Sequence, residues 1–221
     1  MFIGYFDPKI AIVHMNHLWG VLTNTSVKIN SLMDASTNTR ALTQVYGVDV
    51  GYGQVAERVR VDPRVLVMER TNLRTLTAAA LPSLVDIATL DLSFISVLKV
   101  LPAVVGVMQP SSQLVILIKP QFEAGAVNVS KGGVVRSSAV HDDVISRITC
   151  GVEELGFTCA GVIESPIRGA QAGNKEFLAH FIRIDGAQVN VNEWLRKWAP
   201  PMESSSKNET DDSSDSEGTV S

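Results

Sequence analysis

Residues 113–119, QLVILIK, form an almost uninterrupted apolar run that stops on a lysine. A strand of this composition needs cover on both faces, which is the situation of an interior strand in a parallel sheet. Parallel neighbours cannot be joined by a hairpin, so each needs a crossover, usually helical. The rest of the chain obeys that demand. From Val45 onward, VYGVDV (45–50), RVLVME (64–69) and VDIATLDL (85–92) read as further strands. They alternate with helical stretches at QVAERVR (54–60) and SVLKVLPAVVGVM (96–108), the latter expected to bend at Pro102. Residues 138–155 give the clearest amphipathic helix, with Val140, Val144, Ile148, Val152 and Leu155 on one face and Gly156 as its stop. FTCAGVIES and EFLAHFIRI read as late strands paired antiparallel, and NVNE before WLRKW as a capping box opening a last helix. The expected fold class is α/β, with a Rossmann-like sheet, mostly parallel, and an antiparallel late strand.

An open sheet of this kind collects ligands at the carboxyl ends of its strands. Asp49, Glu69 and Asn72, Asp91, and Lys119 stand at four such ends, and Glu176 lies where a late strand begins. Each alone suits an ordinary structural role, as a helix cap or a solvated strand terminus. Two carboxylates and a lysine at one crevice could share a proton network. Gly51, Gly53 and Ala56 also imitate a dinucleotide-binding fingerprint, with Glu69 placed as the ribose acid of an NAD-dependent oxidoreductase. Asp49, two residues before the first glycine, would repel a pyrophosphate.

Bulk charge does not decide the partner. The net charge is −4, but residues 201–221 hold six acids against one lysine, and the remainder is nearly neutral. That Ser-rich acidic tail has too few apolar residues to offset its ordering entropy and is expected to be disordered. An RNA site would have to be a local patch. Two cysteines, Cys150 and Cys159, fit a reducing intracellular compartment, cytoplasm or organelle matrix, and make no zinc site by themselves. No metal and no membrane span are expected. The four histidines (His14, His17, His141, His180) read as structural or surface residues.

Taken in order, YGVDVGYGQ, DLSFIS, KPQFEAG, KGGVVR and ESPIRGAQAGNKEFL resemble the hemolysin-A-type (TlyA-like) ribosomal RNA methyltransferases of the FtsJ-like branch. The resemblance covers about residues 45–183. It implies a class I methyltransferase sheet, S-adenosyl-L-methionine as cofactor, and ribose 2′-O-methylation of rRNA, with rRNA or a ribosomal subunit as partner. Matching residue by residue, Asp91, Lys119 and Glu176 take catalytic places in the family's Lys-Asp-Lys-Glu set. Lys119 would be the base or the cation beside a developing alkoxide, with Asp91 and Glu176 holding it. Asp49 would accept from the cofactor ribose, Glu69 and Asn72 would border the adenine, and Asp91 would also line the cofactor. Lys131 and Arg136 would meet RNA phosphates from a mobile loop.

The family's first lysine, in an SRGGxKL segment, has no counterpart here. Its DxGxSTGGF loop is echoed only by Asp34, Ser36 and Thr37, without glycine, and its N-terminal RNA-binding domain is missing from this sequence. The expected organisation is therefore a divergent or truncated segment at 1–44, a methyltransferase domain at 45–186, a short helix at 187–200 and the tail at 201–221. The departures admit an alternative, a catalytically inactive RNA- or ribosome-binding isoform or paralogue. The oxidoreductase reading is more remote.

Overall fold

The computed structural model describes residues 10–14, 43–53, 55–166 and 173–199. The segment expected to hold the cofactor glycine loop, His17 and the acidic tail lie outside those residues. Seven strands form one sheet: β1 (Ile10–His14), β2 (Gln44–Val48), β3 (Val65–Met68), β4 (Val85–Leu90), β5 (Met108–Ile118), β6 (Phe157–Glu164) and β7 (Phe177–Arg183). Their order across the sheet is β3-β2-β1-β4-β5-β7-β6. The first five pair in parallel, and β7 runs antiparallel to both β5 and β6. The chain thus winds outward from β1 to β3, returns to β4, and winds the other way. Ligand crevices open where the order reverses, between β1 and β4.

The helices are α1 (Glu57–Arg60), α2 (Leu101–Gly106), α3 (Pro120–Glu123), α4 (Ser138–Glu153) and α5 (Val191–Trp198). Tyr46, Leu114, Ile116 and Phe181 of the sheet are fully buried with Ile148 of α4. The α4 face read from the sequence is the one that packs, with Val144, Ile148 and Val152 buried. Gly156 follows at φ +85°, and a Cβ there would sit 2.7 Å from Ala187 Cβ, so the position admits glycine for two reasons. In α5, Asn190 caps the Glu193 amide at 3.2 Å, as the NVNE pattern predicts.

One stretch departs from expectation. Residues 96–108 are not a single bent helix. A 3-10 turn at Val97–Lys99 is followed by α2, and Met108 already belongs to β5. Pro102 lies in the first turn of α2, where its missing N–H would have had no helical partner anyway. It starts a helix rather than kinking one.

Beyond α1, Asp62 receives both the backbone N–H and the guanidinium of Arg64, the latter at 2.7 and 2.9 Å. These bonds pull its carboxyl down to about 2. A depressed carboxyl contributes stability that is complete above the ordinary Asp value near about 4 and lost as pH falls toward about 2. Acid unfolding of Asp62→Asn should therefore differ from wild type above about pH 4 and converge with it near pH 2. A gap unchanged across that window would contradict the assignment.

Candidate active site

The sequence-predicted residues converge on one edge of the sheet. Asp49 follows β2, Glu69 follows β3, Asp91 follows β4 and Lys119 follows β5. Glu176 reaches the same edge from the other direction because β7 is reversed. Ile118 pairs with Phe177, so Lys119 and Glu176 are the next facing positions past the ladder.

The centre is a buried ion pair. Lys119 Nζ lies 2.6 Å from Asp91 Oδ1, with the two side chains 7% and 1% exposed. The same ammonium donates to Ser93 Oγ at 3.2 Å. Burial of such a pair costs desolvation, which close geometry and further hydrogen bonds offset. Glu176 is buried beside it but is held by Gln121, whose Nε2 donates to Oε1 at 3.0 Å. Among the described residues Glu176 makes no ion pair with Lys119.

Asp49 is 1% exposed. Its Oδ1 accepts the Gly51 N–H at 2.7 Å, and its Oδ2 is buried with no partner among the described residues. Glu69 Oε1 accepts the Gly53 N–H at 2.7 Å and the Arg60 guanidinium at 2.9 Å. Arg70 then stacks over Tyr52, its Cζ 4.4 Å from the ring centroid. The glycine amides that a pyrophosphate would need are thus taken by the protein's own carboxylates. The dinucleotide fingerprint is overturned on that ground: it is a turn capped at both glycines. Asn72 uses its side chain to cap the Arg74 N–H at 3.0 Å, heading a 3-10 turn at Leu73–Thr75.

Five residues that matter to this geometry escaped the sequence reading. Glu123 Oε1 accepts the Val97 N–H at 2.7 Å, and Arg147 of α4 donates to the Glu123 carbonyl and carboxylate at 2.7 and 3.3 Å. This clasp ties the KPQFE turn to the end of the DLSFIS loop. Phe94 in that loop adopts φ +63° and is 87% exposed, 4.9 Å from the Phe122 ring. A bulky side chain in the left-handed region is strained, and strain of this kind collects at functional sites. Asn174 accepts the Val135 N–H at 3.0 Å and donates to the Gly133 carbonyl at 2.9 Å. Lys131 and Arg136 are exposed on that loop, whose base is thereby tethered. Gln121, which holds Glu176, is the fifth. None had a local signal, because each acts through a contact distant in sequence.

His141 Nε2 donates to the Val135 carbonyl at 3.1 Å, and His180 Nε2 donates to Gln113 Oε1 at 2.8 Å, both structural roles. Burial pulls the His180 imidazole below its ordinary value. Among the described residues no cluster of acids, histidines or cysteines has the form of a metal site, and no helix is long and apolar enough to cross a membrane. Cys150 and Cys159 are free thiols.

A buried Lys–Asp pair at the ends of two neighbouring parallel strands is a candidate charge-handling centre on this sheet. Residues 29–183 match the family described as FtsJ-like methyltransferase, and the chain belongs to that family. It is 44% identical over 138 residues to the 16S/23S rRNA (cytidine-2′-O)-methyltransferase TlyA of Mycobacterium tuberculosis, covering 62% of this chain and 51% of that protein. It is 35% identical over 140 residues to Hemolysin A of Brachyspira hyodysenteriae, covering 63% and 58%. A crystal structure of a Lactococcus lactis protein described as a hemolysin superposes with a TM-score of 0.68 at 32% identity, over 86% of each chain. The chain spans about half the length of the curated relatives it matches.

Proposed function

We propose that this chain is an S-adenosyl-L-methionine-dependent RNA methyltransferase acting on a ribose 2′-hydroxyl of ribosomal RNA, with residues 45–186 as its catalytic domain. The buried Lys119–Asp91 pair carries the reading, because it is the part of the site that touches chemistry. When bound, the cofactor supplies an electrophilic methyl on a sulfonium. The residues present fit it at one clear point: the buried, unpartnered Asp49 Oδ2 is an acceptor suited to a ribose hydroxyl. Glu69 and Asn72 would stand at the adenine side of the same crevice, and Asp91 at its inner wall.

In this reading Lys119 receives the target hydroxyl. Its ammonium, held by Asp91 and Ser93, orients the oxygen for in-line attack and stabilises the charge that grows on it. Glu176 supplies a second carboxylate for the proton. Phe94 offers a ring face at the mouth of the site, of the kind on which unstacked bases rest. Lys131 and Arg136 would contact phosphate. An rRNA substrate places the protein in a ribosome-containing, intracellular compartment.

Asp49→Ala removes a charged acceptor from two hydroxyl donors. Cofactor affinity measured by calorimetry should fall on the order of 10- to 100-fold, with rRNA binding unchanged. Equal affinity in the variant would remove Asp49 from the cofactor site. Wild-type protein that binds ribosomal subunits in a salt-dependent way yet transfers no labelled methyl group would favour the inactive RNA-binding alternative.

A further inference from the structure

The Lys119 ammonium is ion-paired with Asp91 Oδ1 at 2.6 Å and donates to Ser93 Oγ at 3.2 Å, which among the described residues leaves it a donor for a further oxygen. A further carboxylate-bearing position, Glu176, faces Lys119 one step past the β5–β7 ladder and is itself buried. Left to itself, a buried carboxylate next to a buried ammonium with a spare donor closes an ion pair. It does not do so here. Its backbone carbonyl is tied to the end of β6 by the Ser165 N–H at 2.8 Å, and its Oε1 is tied to Gln121 Nε2 at 3.0 Å. The other amide atom, Gln121 Oε1, is buried without a partner among the described residues, so the hydrogen bond to Glu176 is what holds this side chain there.

We propose that Gln121 is a positioning residue that restrains Glu176 from pairing with Lys119 and so reserves a Lys119 donor for the reacting oxygen. The inference rests on the methyltransferase reading for its chemistry, but the restraint itself is geometric. Gln121 acts from the first turn of α3, directly after Pro120 has fixed the turn out of β5. The reserved donor then points to substrate rather than to a second internal anion. Among the described residues, Asp91 is the charged group already paired with Lys119.

The test is a crystal structure and steady-state kinetics of Gln121→Leu. Without its donor, Glu176 should move to within about 4 Å of Lys119 Nζ. The kcat for methyl transfer to ribosomal subunits should drop on the order of 10- to 100-fold, with the cofactor KM within about twofold of wild type. A purely structural residue would lower the melting temperature and leave kcat per folded molecule unchanged. Gln121→Glu, of the same shape, provides the second variant should leucine not fold; its carboxylate repels Glu176 toward Lys119 and predicts the same movement. Glu176 staying in place in the variant structure, or kcat unchanged per folded molecule, overturns the proposal. Wild-type protein with no transferase activity would sink the methyltransferase reading, while the Glu176–Lys119 distance in the variants still decides the restraint.

Discussion

Lys119→Ala should abolish methyl transfer, lowering kcat on the order of 10²- to 10⁴-fold, because the side chain that orients and charges the attacking oxygen is gone. The same substitution withdraws the ammonium 2.6 Å from a carboxylate that is 1% exposed. Removing one member of a buried ion pair typically costs about 3–5 kcal/mol, so the variant should also unfold earlier in urea. The two effects separate with Lys119→Arg. Its guanidinium keeps the charge beside Asp91 but presents a planar fork instead of three rotatable donors. Stability should largely recover while activity stays low. Labelled-methyl transfer to ribosomal subunits and urea midpoints, measured on the same preparations, check both halves. Activity in Lys119→Ala near wild type would end the assignment.

The second large effect is expected at Glu123. Its carboxylate satisfies the Val97 N–H at 2.7 Å and pairs with Arg147 at 3.3 Å, while Arg147 also binds the Glu123 carbonyl. Glu123→Ala leaves a buried backbone donor without its acceptor and a half-buried guanidinium without its carboxylate. The expected loss is about 2–4 kcal/mol in urea unfolding. Glu123→Gln keeps an oxygen for the Val97 amide and should lose only about 1 kcal/mol. Because the clasp joins the loop bearing Ser93 to the turn bearing Lys119, the alanine variant should also lose transferase activity at temperatures where it remains folded. A destabilisation within about 0.5 kcal/mol of zero, the range of ordinary surface changes, would show the clasp to be incidental.

Periodicity and composition act locally, and the local features were the ones legible in the sequence. QLVILIK had to be an interior strand, the three- and four-residue spacing from Val140 to Val152 had to bury one helix face, and Gly156 had to stop that helix. The paired late strands were legible as well. The order of the strands was not, because nothing local specifies that β7 inserts between β5 and β6. Pro102 was not legible for a related reason: its effect depends on whether a helix begins before or at it, which tertiary packing decides. At the site, the carboxylates and the lysine were visible as residues at strand ends, and the family resemblance gave them roles. The clasp at Glu123, the restraint at Gln121 and the tether at Asn174 were invisible. Each spans 24 residues or more in sequence, and the amide and carboxylate side chains that make them look like any other polar residue.

The reversal of β7 has an evolutionary consequence. At the carboxyl end of a parallel strand, a functional residue is placed by everything upstream of it. Glu176 stands instead at the beginning of its strand, and its backbone is placed by the ladder that follows it, from Phe177–Ile118 to Ile182–Gln113, together with the Ser165 N–H on its carbonyl. The connection entering from β6 can therefore lengthen or shorten without dragging the carboxylate along. Pairing that follows Glu176 rather than precedes it leaves room for the surroundings of the carboxylate to change while the carboxylate itself stays in place.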